Sequence, residues 1–367
     1  MKIIFIITKA DEIGGAQIHV RDIAFKMKKD KHYVKVIVGE HGALVNELHR
    51  ADIKTYILPE LVRNISPIKD LICIYKIRKI INTISPDIIA LHSSKAGIIG
   101  RAALLFKRIP VTFTAHGWSF ADGVDKKRKI FYILIEKIFS NFTNKIITVS
   151  QQDKDIAIKY KVADEKRQVV IHNGIPDFIG NKRRKNNNII NLVSIARFSE
   201  QKDHISLFKA LSGIKNKRWH LDLIGKGPLL EEMIKLSKHL GISENVSFLG
   251  ERGDINNLLS DQDIFLLISN WEGLPISIIE AMRQSLPVLA SNVGGVSELV
   301  DDGTTGYLVQ RKNSDEIKDK LELLMEDKTL RDFMGNNGRK KYKNQFTFNQ
   351  MYNKTLSLYE KLIKEKV

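Results

Sequence analysis

The feature that most constrains this chain is an alternation. Short runs rich in Ile and Val recur between longer segments of helical periodicity, from the first residues to beyond residue 300. The early runs are 2–8, 33–38, 54–58, 87–91, 111–114 and 145–149, with helical patterns such as 16–28, 67–83 and 95–106 between them. Most of these runs show no polar alternation. A strand that is apolar on both faces must be covered on both faces, and crossover helices do this in a parallel sheet. The pattern therefore predicts a doubly wound parallel sheet. Near residue 178 it breaks. Gly180-Asn181-Lys182-Arg183-Arg184-Lys185-Asn186-Asn187-Asn188 is polar, basic and aperiodic, the composition of a solvated linker. The alternation restarts at 189–195 and continues through 221–224, 246–248, 264–268, 287–290 and 306–309.

The expected fold class is α/β, with two Rossmann-like, doubly wound domains facing a cleft. Residues 1–178 form the first domain, 179–188 the linker, 189–345 the second domain, and 346–367 a C-terminal helix free to pack back on the first. A chain of 367 residues is long enough for two such cores. Ligands bind these sheets at the carboxyl ends of the strands.

Composition narrows the function classes. Cys73 is the only cysteine, which excludes an internal disulfide and a multi-cysteine zinc site and fits a reducing, cytoplasmic location. The apolar run after Met1-Lys2 ends at Thr8-Lys9, too short for a secretory signal. No apolar run approaches the ~18 residues of a transmembrane helix. The net charge of +17 is uneven: residues 1–188 hold 34 Lys/Arg against 18 Asp/Glu, and residues 189–367 hold 25 against 24. A basic first half suits an anionic lipid surface, nucleic acid or an anionic acceptor.

Four constellations carry chemistry. In the first, Glu272-Gly273-Leu274-Pro275 follows the run at 264–268 and leads into a helix that holds Glu280. Pro275 suits the first turn, where its missing N–H costs nothing. Backbone N–H groups at such a start, including those of Gly273 and Leu274, bind anions and hydroxyls. The two carboxylates accept hydrogen bonds from sugar and ribose hydroxyls. The second is Arg197 and Lys202, after the run at 189–195: two cations able to neutralise a departing diphosphate. The third is a set of glycine turns, Gly14-Gly15, Gly225-Lys226-Gly227-Pro228 and Gly294-Gly295 with Glu298, which let backbone approach a phosphate or sugar. The fourth is His116 in Thr114-Ala115-His116-Gly117-Trp118-Ser119, placed to touch the donor sugar or the acceptor. His92, His172 and the pair Asn173-Gly174 read first as structural residues.

Together and in this order the pieces resemble the retaining glycosyltransferases of the GT-B fold, in the large family that contains sucrose synthase and bacterial mannosyltransferases. The family's Glu-x7-Glu is here Glu272 and Glu280, and its Arg-x4-Lys is Arg197 and Lys202. The resemblance spans most of the chain and is sharpest between about 190 and 310. It implies that Glu280 binds the ribose, that Glu272, Gly273 and Leu274 bind the sugar, and that Arg197 and Lys202 hold the diphosphate. It also implies that Gly15 approaches the diphosphate from the first domain, with His116 beside the sugar and Asn173 in donor contact. Gly225 and the Gly250-Glu251-Arg252 segment would line the base pocket. His172 stands where many relatives have Pro.

Within that family, Thr8-Lys9, Gly14-Gly15-Ala16-Gln17, His92-Ser93-Ser94-Lys95-Ala96-Gly97 and His116-Gly117-Trp118-Ser119 resemble enzymes of O-antigen, capsule and lipopolysaccharide assembly. Those extend sugars on polyprenyl diphosphate, several from UDP-N-acetylhexosamines. The resemblance thus implies a UDP-sugar donor, a lipid-linked saccharide acceptor, front-face transfer with retention, and no cofactor or metal. An acceptor of that kind places the basic domain on the inner face of the cell membrane, with Lys126-Lys127-Arg128-Lys129 and the apolar residues 130–135 as a candidate interfacial helix.

Other readings stay open on residues alone. Asp261-Gln262-Asp263 looks like a metal-binding carboxylate pair but lies at the amino end of the run at 264–268, where Asp263 reads as a strand-start residue. A glycosidase also uses two carboxylates, although here both lie on one turn–helix unit. A nucleotide-sugar epimerase shares the fold. A basic nucleic-acid-binding protein would need a recognition motif, and none is legible.

Overall fold

A computed structural model of the chain describes residues 1–11, 14–120, 126–178, 189–216 and 218–366. By internal contacts the chain divides into two compact units, unit 1 being Met1–Asn173 with Met351–Val367, and unit 2 being Gly174–Gln350.

In unit 1, β1 (Lys2–Ile7), α1 (Gly15–Lys29), β2 (Tyr33–Val38), α2 (Ala43–Arg50), β3 (Thr55–Ile57) and α3 (Pro67–Ile84) come first. They are followed by β4 (Ile88–His92), α4 (Ser94–Ala103), β5 (Val111–Ala115), α5 (Lys126–Ser140), β6 (Lys145–Thr148), α6 (Gln151–Lys159) and β7 (Gln168–Val170). The strands form one seven-stranded sheet in the order β3-β2-β1-β4-β5-β6-β7, with every adjacent pair parallel. The direction of winding reverses between β1 and β4, the position where doubly wound sheets open a ligand crevice. The Ile/Val runs behave as their composition demands: Ile3 to Ile7 of β1 and Ile88 to Leu91 of β4 are buried throughout. Each such side chain contributes roughly 1.5–3 kcal/mol by leaving water. Residues of α3, α4, α5 and α6, among them Ile77, Ile99, Ile133 and Ala157, share one core cluster, so these helices cover the same face.

In unit 2 the order is β8 (Ile190–Ile195), α7 (His204–Ser212), β9 (Trp219–Ile224), α8 (Leu230–His239), β10 (Val246–Gly250), α9 (Ile255–Ser260) and β11 (Ile264–Leu267). Then come α10 (Ile276–Arg283), β12 (Val288–Ser291), α11 (Val296–Leu299), β13 (Gly306–Val309), α12 (Ser314–Glu326) and α13 (Lys328–Gln345); the last helix, α14 (Phe348–Lys364), passes into unit 1 from Met351 onward. The sheet is six-stranded and parallel, β10-β9-β8-β11-β12-β13, with its reversal between β8 and β11.

Two details differ from the sequence reading, and a third concerns the C-terminal helix, which that reading left free to pack back on the first domain. The strand β7 is only Gln168-Val169-Val170 at a sheet edge, too short and too polar at its start to show in a pattern. The boundary falls after Asn173 rather than at 178, because residues 175–177 are held by unit 2: Ile175 N–H donates to Phe346 O, Phe348 N–H donates to Ile175 O, and Arg339 pairs with Asp177. At the other end, residues from Met351 onward group with unit 1: the Tyr352 hydroxyl donates to Asp30 at 2.6 Å, Lys26 lies over the Tyr352 ring, and Tyr359 is buried. The linker expected at 179–188 lies outside the described residues.

Candidate functional site

In unit 2 the chemistry-bearing residues gather at the carboxyl ends of β8 and β11, on either side of the reversal. Two loops meet there. Asp203 N–H donates to Ile268 O at 2.9 Å, and Asn270 N–H donates to Gln201 O at 2.7 Å. Lys202 and Ser269 form an antiparallel bridge. This stitching brings together two residues separated by 70 positions: the Lys202 ammonium donates to Oε1 of Glu272. The same oxygen accepts from the Ser269 hydroxyl at 2.6 Å, while Gln201 Nε2 reaches Oε2 at 3.4 Å and Trp271 O at 2.9 Å. Oε1 of Glu272 is thus doubly occupied, and Oε2, with one long contact, is the oxygen with capacity for a ligand hydroxyl. Lys202 retains two further N–H donors for a phosphate.

The turn that carries Glu272 is fixed from behind by the glycine pair. Gly295 N–H donates to Gly273 O at 2.8 Å. Gly294 adopts φ 57°, and a Cβ there would lie 2.0 Å from Glu272 O. Only glycine allows both the left-handed backbone and this approach. Leu274 and Pro275 are buried, and Pro275 sits one position before the helix as its cap rather than inside the first turn. α10 then buries Ile278, Ile279 and Met282, which leaves Glu280 half-buried on its flank.

Gly225 is explained by packing. At φ +143°, its Cβ would meet Ala196 O at 2.2 Å, so the turn after β9 crosses the segment that holds Arg197. Its N–H donates to Gly250 O at 2.8 Å, which brings the 250–252 segment alongside. Arg197 is exposed on the turn after β8. Arg252 is also exposed and makes a two-pronged pair with Asp254, at 2.9 and 2.7 Å; this pairing raises its pKa and aims its guanidinium along its own loop. The Asp261–Asp263 segment lies at the amino end of β11, where Asp263 Oδ2 accepts from Asn191 N–H at 2.9 Å.

Unit 1 gathers a second group at the carboxyl ends of β1, β4 and β5. His92 Nδ1 and His116 Nε2 are 3.1 Å apart with rings stacked at 5.4 Å, and His19 of α1 meets the His116 ring edge-on at 4.9 Å. His19 Nδ1 is in turn 3.2 Å from Asn173 Oδ1. Burial lowers the pKa of His19 to about 4, against a partial rise from Asn173, and drives those of His92 and His116 well below the ordinary range, with neighbouring imidazoles adding to the effect. At neutral pH all three rings are uncharged donors and acceptors, not cations. One nitrogen from each lies within 4.8 Å of the others, the one group among the described residues with the composition for a metal ion. Bonds of ~2.0–2.1 Å to a shared ion place ligand nitrogens about 3–4 Å apart, a separation that His92 Nδ1 and His116 Nε2, at 3.1 Å, already have. Gly15 opens α1 behind the cap Gly14, with its helix N-terminus at the end of β1. Trp118 of the His116 motif serves the core: its Nε1 donates to Asp153 O at 2.7 Å and its ring stacks on Phe120.

The structure therefore joins Lys202 with Glu272, Gly273 with Gly295, Gly225 with the Arg197 turn, and His116 with Asn173 through His92 and His19. Arg252 pairs within its own loop, with Asp254. Sequence reasoning missed Gln201, Ser269 and His19. Ser269, a polar residue closing an apolar strand three positions before Glu272, was the readable signal; His19 had none beyond its place on the helix after Gly15.

The comparisons with known proteins agree with this architecture. A family model described as Glycosyltransferase Family 4 matches residues 13–177, and one described as Glycosyl transferases group 1 matches residues 177–341. The chain is 31% identical over 327 residues to the O-antigen biosynthesis glycosyltransferase WbnH of Escherichia coli, covering 88% of this chain and 90% of that protein. It is 29% identical over 354 residues to the UDP-Gal:alpha-D-GlcNAc-diphosphoundecaprenol alpha-1,3-galactosyltransferase of Escherichia coli, covering 91% and 90%. The crystal structure of HepE from Anabaena in complex with UDP and glucose superposes with a TM-score of 0.85 at 21% identity, covering 98% of this chain and 99% of that one. With two parallel-sheet units, and candidate residues at the strand carboxyl ends of each, the chain belongs to the group 1 and family 4 glycosyltransferases and has the GT-B fold.

Proposed function

We propose that this glycosyltransferase moves a hexosyl or N-acetylhexosaminyl group from a UDP-sugar to a polyprenyl-diphosphate-linked saccharide. The transfer retains anomeric configuration, needs no metal, and serves O-antigen, capsule or related lipopolysaccharide assembly at the cytoplasmic face of the membrane. The observation that carries the reading is the Lys202–Glu272 pair at the reversal point of the unit 2 sheet, an ammonium and a carboxylate on adjoining loops. The Escherichia coli relative whose name specifies a UDP-sugar donor, a diphosphoundecaprenol acceptor and an alpha product supports the substrate class.

In this reading Glu280 accepts from the ribose hydroxyls and Glu272 Oε2 from the sugar. Lys202 and Arg197 stabilise the charge that grows on the diphosphate as the glycosidic bond breaks, the work a metal ion does in other transferases. The leaving diphosphate takes the proton of the attacking hydroxyl on the same face of the sugar, which yields retention. Gly15 at the α1 N-terminus supplies backbone donors to the diphosphate. The neutral His116 donates to the sugar or the acceptor.

The test is transfer itself. Purified protein is incubated with a panel of UDP-sugars and short-chain polyprenyl-diphosphate glycans, and products are read by mass and anomeric coupling. The expected result is one donor accepted, one sugar added, and activity unchanged by EDTA. Conversion of the donor without an acceptor, or activity restored only by a divalent metal, contradicts it.

A further inference from the structure

The helices α3 and α5 present an anomaly. Each buries one face in the core of unit 1, through Cys73, Ile77 and Ile81 on α3 and Ile133 on α5. Each also exposes large apolar side chains on the opposite face. Ile68 is 75% exposed and Leu71 and Tyr75 68% each; on α5, Ile130 is 60%, Leu134 53% and Ile138 59% exposed. Positions 68, 71, 72 and 75 recur at helical spacing, as do 130, 134 and 138, so each set is a continuous outward stripe.

The two stripes belong to one surface. α4 packs against both helices. Lys95 at its start pairs with Asp70 in the first turn of α3 at 2.6 Å, and Arg101 pairs with Glu136 of α5 at 2.8 Å. In a parallel α/β sheet the helices run against the strands, so the starts of α3, α4 and α5 all lie at the strand carboxyl ends. His92 and His116 lie at that same end. The exposed apolar residues of α3 occupy its first half, and those of α5 follow directly on its basic first turn, where Lys127 and Arg128 are exposed.

Charge decides what covers this face. The sole acid of α3, Asp70, and the sole acid of α5, Glu136, are both spent on internal pairs with Lys95 and Arg101. Against them stand Lys69, Arg78 and Lys79 on α3 and Lys137 on α5, while Lys76 is paired with Glu60 at 2.6 Å. A second copy of this face would set cation against cation. Apolar side chains bordered by cations complement an anionic bilayer surface, where side chains enter the acyl boundary and Lys/Arg meet headgroups. No helix among the described residues is long and apolar enough to cross a membrane, so the contact is one of lying on the surface.

We propose that α3 and α5 together form a two-helix interfacial plate that seats the strand-carboxyl end of unit 1 on an anionic membrane. This rests on the lipid-linked acceptor of the proposed function and adds α3 as the second, mainly apolar, half of the contact. It places the histidine end of the unit at the depth from which a membrane-held acceptor emerges.

The test is sedimentation with phosphatidylglycerol-containing and pure phosphatidylcholine vesicles. Wild-type protein, Ile68→Glu/Leu71→Glu and Ile130→Glu/Leu134→Glu are compared, each with transfer to a detergent-dispersed short-chain acceptor measured alongside. The expected result is salt-sensitive binding to the anionic vesicles alone. Partition falls at least tenfold in each double variant while transfer in detergent stays within twofold of wild type, which also shows that the variants fold. Unchanged partition in the α3 variant overturns the plate, as does a concentration-dependent dimer without vesicles that the same variant abolishes. Failure of any lipid-linked glycan to accept sugar, with vesicle binding intact, would count against the proposed function and leave the plate standing.

Discussion

Gly294 illustrates how a residue that carries no charge controls one that does. Its backbone has φ 57°, and a methyl group there would sit 2.0 Å from Glu272 O, which leaves no room for a side chain. Gly294→Ala is expected to cost about 1–3 kcal/mol of stability in unit 2 and to displace the Glu272 turn. Thermal unfolding and the donor KM, read together, check this: both should worsen, and a change in neither would mean that the turn is not held from behind. The histidine group makes a pH prediction. Its folded pKa values lie below the unfolded value of 6.5, about 4 for His19, so the unfolded chain binds the protons first as pH falls. Stability is full above about 6.5 and is lost on acidification towards 4; for His19 alone the loss is about 2 kcal/mol at pH 5. Urea midpoints at pH 7.5 and 5.0 should show the drop, and His19→Asn should shrink it. At this scale the sequence was legible where spacing carries meaning. Glu272, Glu280, Arg197 and Lys202 stand at fixed offsets after apolar runs. Gln201, Ser269 and His19 depend on which loop lies beside which, and that is decided by the strand order, not by neighbours in the chain.

Among the elements, α4 and α5 are joined by a pair that periodicity does not reveal. Arg101 is fully buried, pairs with Glu136 at 2.8 Å, donates from Nε to Gly97 O at 2.8 Å and lies 4.5 Å over the Phe113 ring. Removing one partner strands a buried charge. Glu136→Leu or Arg101→Met is expected to destabilise unit 1 by about 3–5 kcal/mol, and the double replacement to recover much of that. A double-mutant cycle on urea midpoints measures the coupling; additive effects would show that the two charges do not depend on each other. The strands themselves were legible because a parallel sheet demands Ile/Val on both faces, and β1, β2 and β4 are buried accordingly. β7 was not, because three residues at an edge carry too little pattern.

For the whole molecule, the chain returns to its beginning. Residues from Met351 belong with unit 1 through Tyr352, Asp30 and the buried Tyr359. Deleting residues 351–367 is therefore expected to raise hydrogen exchange across the unit 1 sheet and to leave β8–β13 protected; uniform loss of protection in both units would contradict the division. The two-unit plan was legible from the break and restart of the alternation. The place where the last helix packs was not, since an amphipathic helix states that it has a partner without naming it. The uneven charge, concentrated in residues 1–188, was visible as composition, yet its meaning depends on where α3 and α5 expose apolar residues beside it.

The central claim is that unit 2 binds the UDP-sugar through the turn and helix that carry Glu272 and Glu280. It is tested most directly by titrating UDP-sugar into Glu280→Ala calorimetrically and following transfer by the same protein. The account predicts donor affinity reduced at least tenfold, with transfer falling in step and unit 2 still folded. A Glu280→Ala protein with wild-type donor affinity and full transfer would contradict it.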